Sequence, residues 1–213
     1  MQSLSLGIWI NIGGRFESVA QKGISHFLEH LLFKGSKKYS CRSIKESIEG
    51  VGGALNAFTS EELTCYLVKI PSRYLVCALD ILSDMVLNPS LKRADIDKEK
   101  TVILEELKMY KDLPQSYVYE LLDELLWPNQ ALGSPVIGTV ESVRNINRNT
   151  LGSFRQAYYT PANIVVAAAG LLDHDLLVKK LCAIFSARSY GRINTFAAAC
   201  DGQVKQQLKI FHK

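Results

Sequence analysis

The stretch that most constrains the fold is Ile-Ser-His-Phe-Leu-Glu-His-Leu-Leu-Phe at residues 24 to 33, an apolar run suited to a buried helix yet carrying three ionisable groups. On a helix His26 and His30 are four residues apart and stand one turn above the other on a single face, so two imidazole nitrogens can reach one ion. Glu29, three residues after His26, leans over whatever they hold. A histidine on an apolar helix is ordinarily a packed, hydrogen-bonded core residue. Here two of the chain's four histidines share a face with a glutamate, and burying all three without a cation would be costly.

A site of this kind with an open coordination position takes three protein ligands, so the histidines need a partner from elsewhere. The stretch Asp95 to Tyr110 offers one. At 3.6-residue spacing Val102, Ile103, Glu106 and Met109 or Tyr110 share roughly one side, which turns Glu106 inward and Glu105 and Lys108 more outward. Glu99, two turns earlier, falls on nearly the same stripe. One inward carboxylate can ligate and the other can support it. The order His-x-x-Glu-His is the reverse of the common zinc-peptidase string, the inverzincin pattern.

With HFLEH at 26 to 30 and ILEE ending at Glu106, the chain resembles the pitrilysin (insulinase) family of zinc metallopeptidases, and within it the short bacterial processing-peptidase-like members. GIWINIGGRFE (7 to 17), GISHFLEHLLFKGS (23 to 36), GGALNAFTSEELTCY (52 to 66), ELKMYKDLP (106 to 114) and YYTPANIVVAAAG (158 to 170) resemble family segments in the same order. The resemblance implies that His26, His30 and Glu106 bind Zn2+, that Glu29 is the general base, and that Glu99 is a supporting carboxylate near the metal. It also implies that Asn56, Ala57 and Phe58 lie on a sheet edge that pairs with an extended peptide substrate. The residues alone would equally suit an ordinary hairpin there.

The same resemblance implies a clamshell of two such domains, with a zinc-binding peptidase domain at 1–195, short of its first strand, and a linker with the start of a second domain at 196–213. The expected function is that of a zinc-dependent endopeptidase acting on peptides, unfolded protein or presequence-like segments. An alternative stays open: an inactive half-enzyme or non-catalytic subunit that needs a second domain, a partner chain or a homodimer. The arginine and tyrosine with which the family polarises the scissile carbonyl have no counterpart in this sequence.

Composition narrows the class without choosing the reaction. With 213 residues, 47% of them hydrophobic, the chain can build one large core or two small ones. Its net charge of +4 is mild, and apart from Lys34, Lys37 and Lys38 the basic residues are scattered; no basic stripe with interleaved aromatics argues for nucleic acid. Five cysteines at 41, 65, 77, 182 and 200 form no C-x-x-C pair and no regular framework, which reads as reduced thiols in a cytoplasmic, reducing compartment, with Cys65 and Cys77 acting as small hydrophobes. No run reaches the ~18 apolar residues of a membrane span, and no signal peptide is evident.

In chain order, alternation predicts a strand over residues 3–10, whose pairing partner would be missing. The histidine helix follows, capped by Ser25 and closed by Gly35. A helix over Ser43–Glu49, capped by Ser43, precedes a hairpin with its turn at Ser60 to Glu62. Helices are predicted over Ser72–Leu87, from Arg93 or Asp95 to Tyr110, and over Ser116–Leu126 with Val118, Leu121, Leu122 and Leu125 inward. A loop spans 127–138. Short helices over Ser142–Ile146 and Thr150–Tyr159, the latter capped by Thr150, lead to a strand over Ile164–Ala169. A final amphipathic helix over Asp173–Phe185 has Leu176, Leu177, Leu181 and Ile184 inward, and Gln206–Phe211 reads as a strand. The fold class is α+β, an antiparallel or mixed sheet with helices packed on one face and the two ligand-bearing helices beneath it.

Overall fold

The computed structural model describes residues 2–212, and its architecture is the expected α+β. Four strands, β1 (Ser3–Ile10), β2 (Ala54–Thr59), β3 (Thr64–Pro71) and β4 (Ile164–Gly170), form one sheet in the order β2-β3-β1-β4. Every pairing is antiparallel. The strand expected to lack a partner is instead held on both sides, with Ile8 opposite Tyr66 on β3 and Val166 on β4. Its alternation sets the layers, because Leu4, Leu6, Ile8 and Ile10 point one way into the core while Ser5 and Trp9 point the other way into solvent. On that open face Cys65 lies opposite both Trp9 and Phe58. Their edge-to-face rings, 5.7 Å apart, account for its complete burial.

Helices α1 (Ile24–Leu32) and α3 (Leu75–Leu87) cover the apolar face. In α1 the buried apolar positions are Ile24, Phe27, Leu28, Leu31 and Leu32, the i, i+3, i+4, i+7, i+8 stripe of a core-facing helix, each worth roughly 1.5–3 kcal/mol when fully buried. That stripe leaves His26, Glu29 and His30 on the opposite, half-buried side. Helix α4 (Arg93–Asp112) packs against α1 and other helices rather than the strands, so the Glu106 helix lies outside the histidine helix. Its buried residues are Ile96, Glu99, Ile103 and Leu107. Val102 and Met109, expected inward, are exposed, and Glu106 stands at the edge of the stripe.

Other boundaries move for local reasons. Ser25 lies inside α1, whose N-cap is Gly23 in the left-handed region with no side-chain cap. Helix α2 (Cys41–Ile48) is capped by Ser40, whose hydroxyl accepts from Ser43 N, so Ser43 is the residue being capped. Helices α6 (Val140–Asn145) and α7 (Arg148–Tyr158) start from capping boxes on Thr139 and Asn147, and Thr150 is the third helical residue of the second. Helix α5 (Pro114–Leu126) begins at its proline, where the missing N–H costs nothing.

Helix α5 buries no residue completely, and Val118 and Leu122 face solvent, because it packs against α4 and the single turn Ala131–Gly133 instead of the core. In α8 (His174–Phe185) Leu177 is buried and Leu176 exposed. Cys77 is exposed too, unlike Cys65.

After α8 the chain is irregular through 212, and no strand forms at 206–211. This tail is nevertheless tied to the body. Asn163 donates to Arg192 O, Phe196 meets Phe16, Gln130 and Cys200 exchange two hydrogen bonds, and Phe211 packs on Tyr117.

Candidate metal centre

Helices α1 and α4 bring three of the expected residues to one point. His26 Nε2 and His30 Nε2 lie 3.9 and 3.6 Å from the same oxygen, Glu106 Oε2. One potential ligand atom from each of the three residues falls within 4.8 Å of the others. These separations are too long for hydrogen bonds, and donors each ~2.1 Å from one tetrahedral ion would stand about 3.4 Å apart. The trio could therefore hold a divalent cation between the two helices.

The protonation chemistry suits that use. Burial, then the neighbouring His30, pushes His26 down to about 4, so at neutral pH its ring is uncharged with a lone pair to give. His30 Nδ1 is 3.2 Å from Glu99 Oε2. A proton held on Nδ1 by that carboxylate leaves Nε2 free to face Glu106. Glu99 is almost wholly buried and its other oxygen forms a close ion pair, 2.7 Å, with Lys34 Nζ. Desolvation raises both Glu29 and Glu106, each partly offset by His30, and for Glu29 first by a hydrogen bond from Thr59. Two half-buried carboxylates beside two imidazoles, with no lysine or arginine among the described residues that line the cleft, form a pocket that a bound cation would neutralise.

Glu29 lies on the cleft side of α1, and Thr59 Oγ1 donates to its Oε2 at 2.5 Å. Thr59 ends β2, an edge strand of the sheet. Period-2 alternation turns Ala57 and Thr59 toward α1 and Asn56 and Phe58 away from it.

The cleft, about 480 Å³, is lined by Ala57, Phe58 and Thr59 on one side and by Tyr110, Tyr119, Glu120 and Asp123 from α4 and α5 on another. Residues Leu132 to Ile137 close a third side. Of the segment expected to meet substrate, Asn56 is outside this lining, and its Oδ1 accepts from Ala57 N at 2.9 Å. Asp123 is pushed up by burial and by Glu61 across the cleft, so the wall is acidic.

Three participants escaped the sequence reading. Lys34 is one turn after His30 and could have been found as a cation for Glu99. Thr59 needed the strand register. Glu17, in the loop nine residues before His26 and outside any helical or strand repeat, accepts from Gly23 N and Ser25 N, 2.8 Å each, at the start of α1.

The family described as Insulinase (Peptidase family M16) matches residues 1–140. The chain is 42% identical over 177 residues to the uncharacterized zinc protease YmxG of Bacillus subtilis, covering 83% of this chain and 43% of that protein. To the mitochondrial-processing peptidase subunit beta of Bos taurus it is 38% identical over 179 residues, 84% of this chain and 36% of that one. The chain thus spans less than half the length of these relatives. Among solved structures, a protease from Helicobacter pylori superposes with a TM-score of 0.85 at 22% identity, over 94% of this chain and 49% of that chain. A peptidase M16 inactive domain from Pseudomonas fluorescens gives 0.85 at 16%, with the same coverage; at such identities the likeness speaks for the fold. The 140 matched residues contain both histidines, Glu29, Glu99, Glu106 and the β2 edge, and the chain belongs to the insulinase family of peptidases, M16.

Proposed function

We propose that the chain is the metal-binding domain of a zinc endopeptidase, with His26, His30 and Glu106 holding the ion and Glu29 acting as general base. The observation that carries this reading is the convergence of those three ligand atoms within 4.8 Å in a cleft that also contains Glu29 and one edge of the sheet. Zinc, when bound, polarises a carbonyl and acidifies neighbouring water. Glu29 takes the proton from the attacking water and returns it to the leaving amine. Its raised pKa suits both halves of that task. Thr59 holds the Glu29 carboxylate toward the cleft, and Glu99 with Lys34 holds the His30 ring in one tautomer.

Extended peptide adds along β2 at Ala57 and Phe58, where the Asn56 side chain now holds the Ala57 N–H and must give way. The acidic wall of Glu61, Glu120 and Asp123 favours basic segments, which supports presequence-like substrates. Five unpaired cysteines suit a reducing compartment such as the cytoplasm.

A second reading has its own observation. Among the described residues lining the cleft there is no arginine or lysine, so a cation for the developing oxyanion would come from outside this chain. A further domain, a partner chain or a second copy would supply it, and the isolated chain would then bind zinc without turnover. Metal analysis together with digestion of an unstructured basic peptide, with and without chelator and with products identified by mass, tests both readings. Stoichiometric zinc with chelator-sensitive cleavage supports the enzyme, and zinc without cleavage supports the incomplete site. A chain that takes up no zinc overturns the proposal.

A further inference from the structure

Helix α1 presents a problem that its own sequence does not solve. The first N–H groups of a helix have no intrahelical acceptor, and the residue at the N-cap, Gly23, has no side chain to offer. Gly23 sits at φ 86°, and a Cβ there would come 2.4 Å from Ile137 O. That close approach of the 131–138 loop excludes any residue with a capping side chain. The acceptor is supplied instead by Glu17, from the loop after β1. Its Oε2 takes the N–H of Gly23 and its Oε1 the N–H of Ser25, 2.8 Å each, and the carboxylate is 5% exposed. Lys22, also buried, donates through Nζ to Gly14 O at 3.0 Å and reaches Ala131 O at 3.5 Å, tying this loop to the segment that leads into the cleft wall.

The amides held by Glu17 belong to Gly23 and Ser25, three residues and one residue before His26. We infer that Glu17 is a positioning residue for the metal centre: by gripping the first turn of α1 with both oxygens it sets the helix's rotation and advance, and hence where the His26 ring stands relative to His30 and Glu106. The inference rests on the zinc reading above and goes beyond it, since Glu17 touches neither ligand nor substrate. A carboxylate at a helix start also opposes the positive end of the helix dipole, but an exposed acidic residue would do that equally. Two buried bonds from one side chain are what fix an orientation.

The test uses E17Q, E17D and, as control, S40A, which removes the cap of α2, a helix without ligands. Zinc affinity is measured by competition with a chromophoric chelator, the ligand geometry by the visible spectrum of the Co2+-loaded protein, and the metal-free fold by circular dichroism and thermal melting. Glutamine keeps the shape but puts an amide N–H against a backbone N–H, and aspartate is one methylene short of spanning both donors. E17Q is expected to weaken zinc by about tenfold, the scale seen for supports behind metal ligands, with a shifted cobalt spectrum. E17D should fall between it and the wild type. S40A should lower the melting temperature comparably while leaving affinity and spectrum alone.

Wild-type affinity and an unaltered spectrum in a folded E17Q overturn the inference, as does an equal loss of affinity in S40A. If E17Q does not fold, E17D decides on the same two readouts. A wild-type chain that binds no zinc overturns the zinc reading and this inference together, whereas zinc-binding wild type with an indifferent E17Q overturns this inference alone.

Discussion

Glu17 also makes a prediction that needs no metal and no substrate. Burial pushes its carboxyl up to about 7 from an ordinary 4.5, against the lowering effect of the two backbone donors and Lys22. A carboxyl raised in the fold contributes stability that is complete below about pH 4.5 and is lost as pH rises through about 7, a change of about 3 kcal/mol. His26 works in the opposite sense. Held down at about 4 against an ordinary 6.5, it contributes stability above about pH 6.5 that is lost as pH falls through 4, again about 3 kcal/mol.

In the metal-free chain these two terms nearly cancel over their shared window, and replacing one should unmask the other. E17Q should be destabilised overall, because a glutamine cannot accept from both amides, but the deficit relative to wild type should shrink by about 3 kcal/mol between pH ~4.5 and ~7.5. Urea unfolding followed by circular dichroism in excess chelator, at several pH values across that interval, gives the difference directly if both chains unfold in two states. A deficit that stays constant with pH would refute the reasoning, since it would mean that Glu17 titrates alike in the folded and unfolded chains.

Five further outcomes are expected. Glu29→Gln should retain zinc and abolish any cleavage, and normal turnover by that variant would remove Glu29 from the role of base. Thr59→Val keeps the volume and deletes the donor to Glu29; losing a charge-assisted hydrogen bond of about 1.5–3 kcal/mol should lower kcat/KM by roughly 10- to 100-fold with zinc content unchanged. His30→Ala should abolish stoichiometric zinc in metal analysis. Phe27→Ala, at a fully buried site, should cost about 3–5 kcal/mol. Val118→Ala on the solvent side of α5 should cost within about 0.5 kcal/mol, both by denaturant unfolding.

Local periodicity carried a large part of the site. His26, Glu29 and His30 are spaced so that any α-helix puts them on one side, and the apolar residues between them can face the core only if that side faces out. The alternation of β1 likewise required one wet and one dry face. A carboxylate from the Asp95–Tyr110 stretch is legible as a third partner for the same reason, although the buried stripe lies one face over. The spacing predicts Val102 and Met109 inward, whereas Ile96, Ile103 and Leu107 are the buried apolar residues. Short windows confuse neighbouring helical faces because single exposed apolar residues are common.

What the sequence by itself determined, then, are the groups whose spacing matches a repeat: the ligand helix, the strand faces and the resemblance segments in their order. Only the tertiary structure decided that α4 lies outside α1, that Thr59 reaches Glu29, and that α1 is capped from Glu17 rather than from Ser25. Backbone periodicity is a short-range property, set within a few residues. The identity of a buried partner depends on which distant segment fills the space, and the close approach of 137 and 138 to Gly23, fixed by packing, left no room for a local cap.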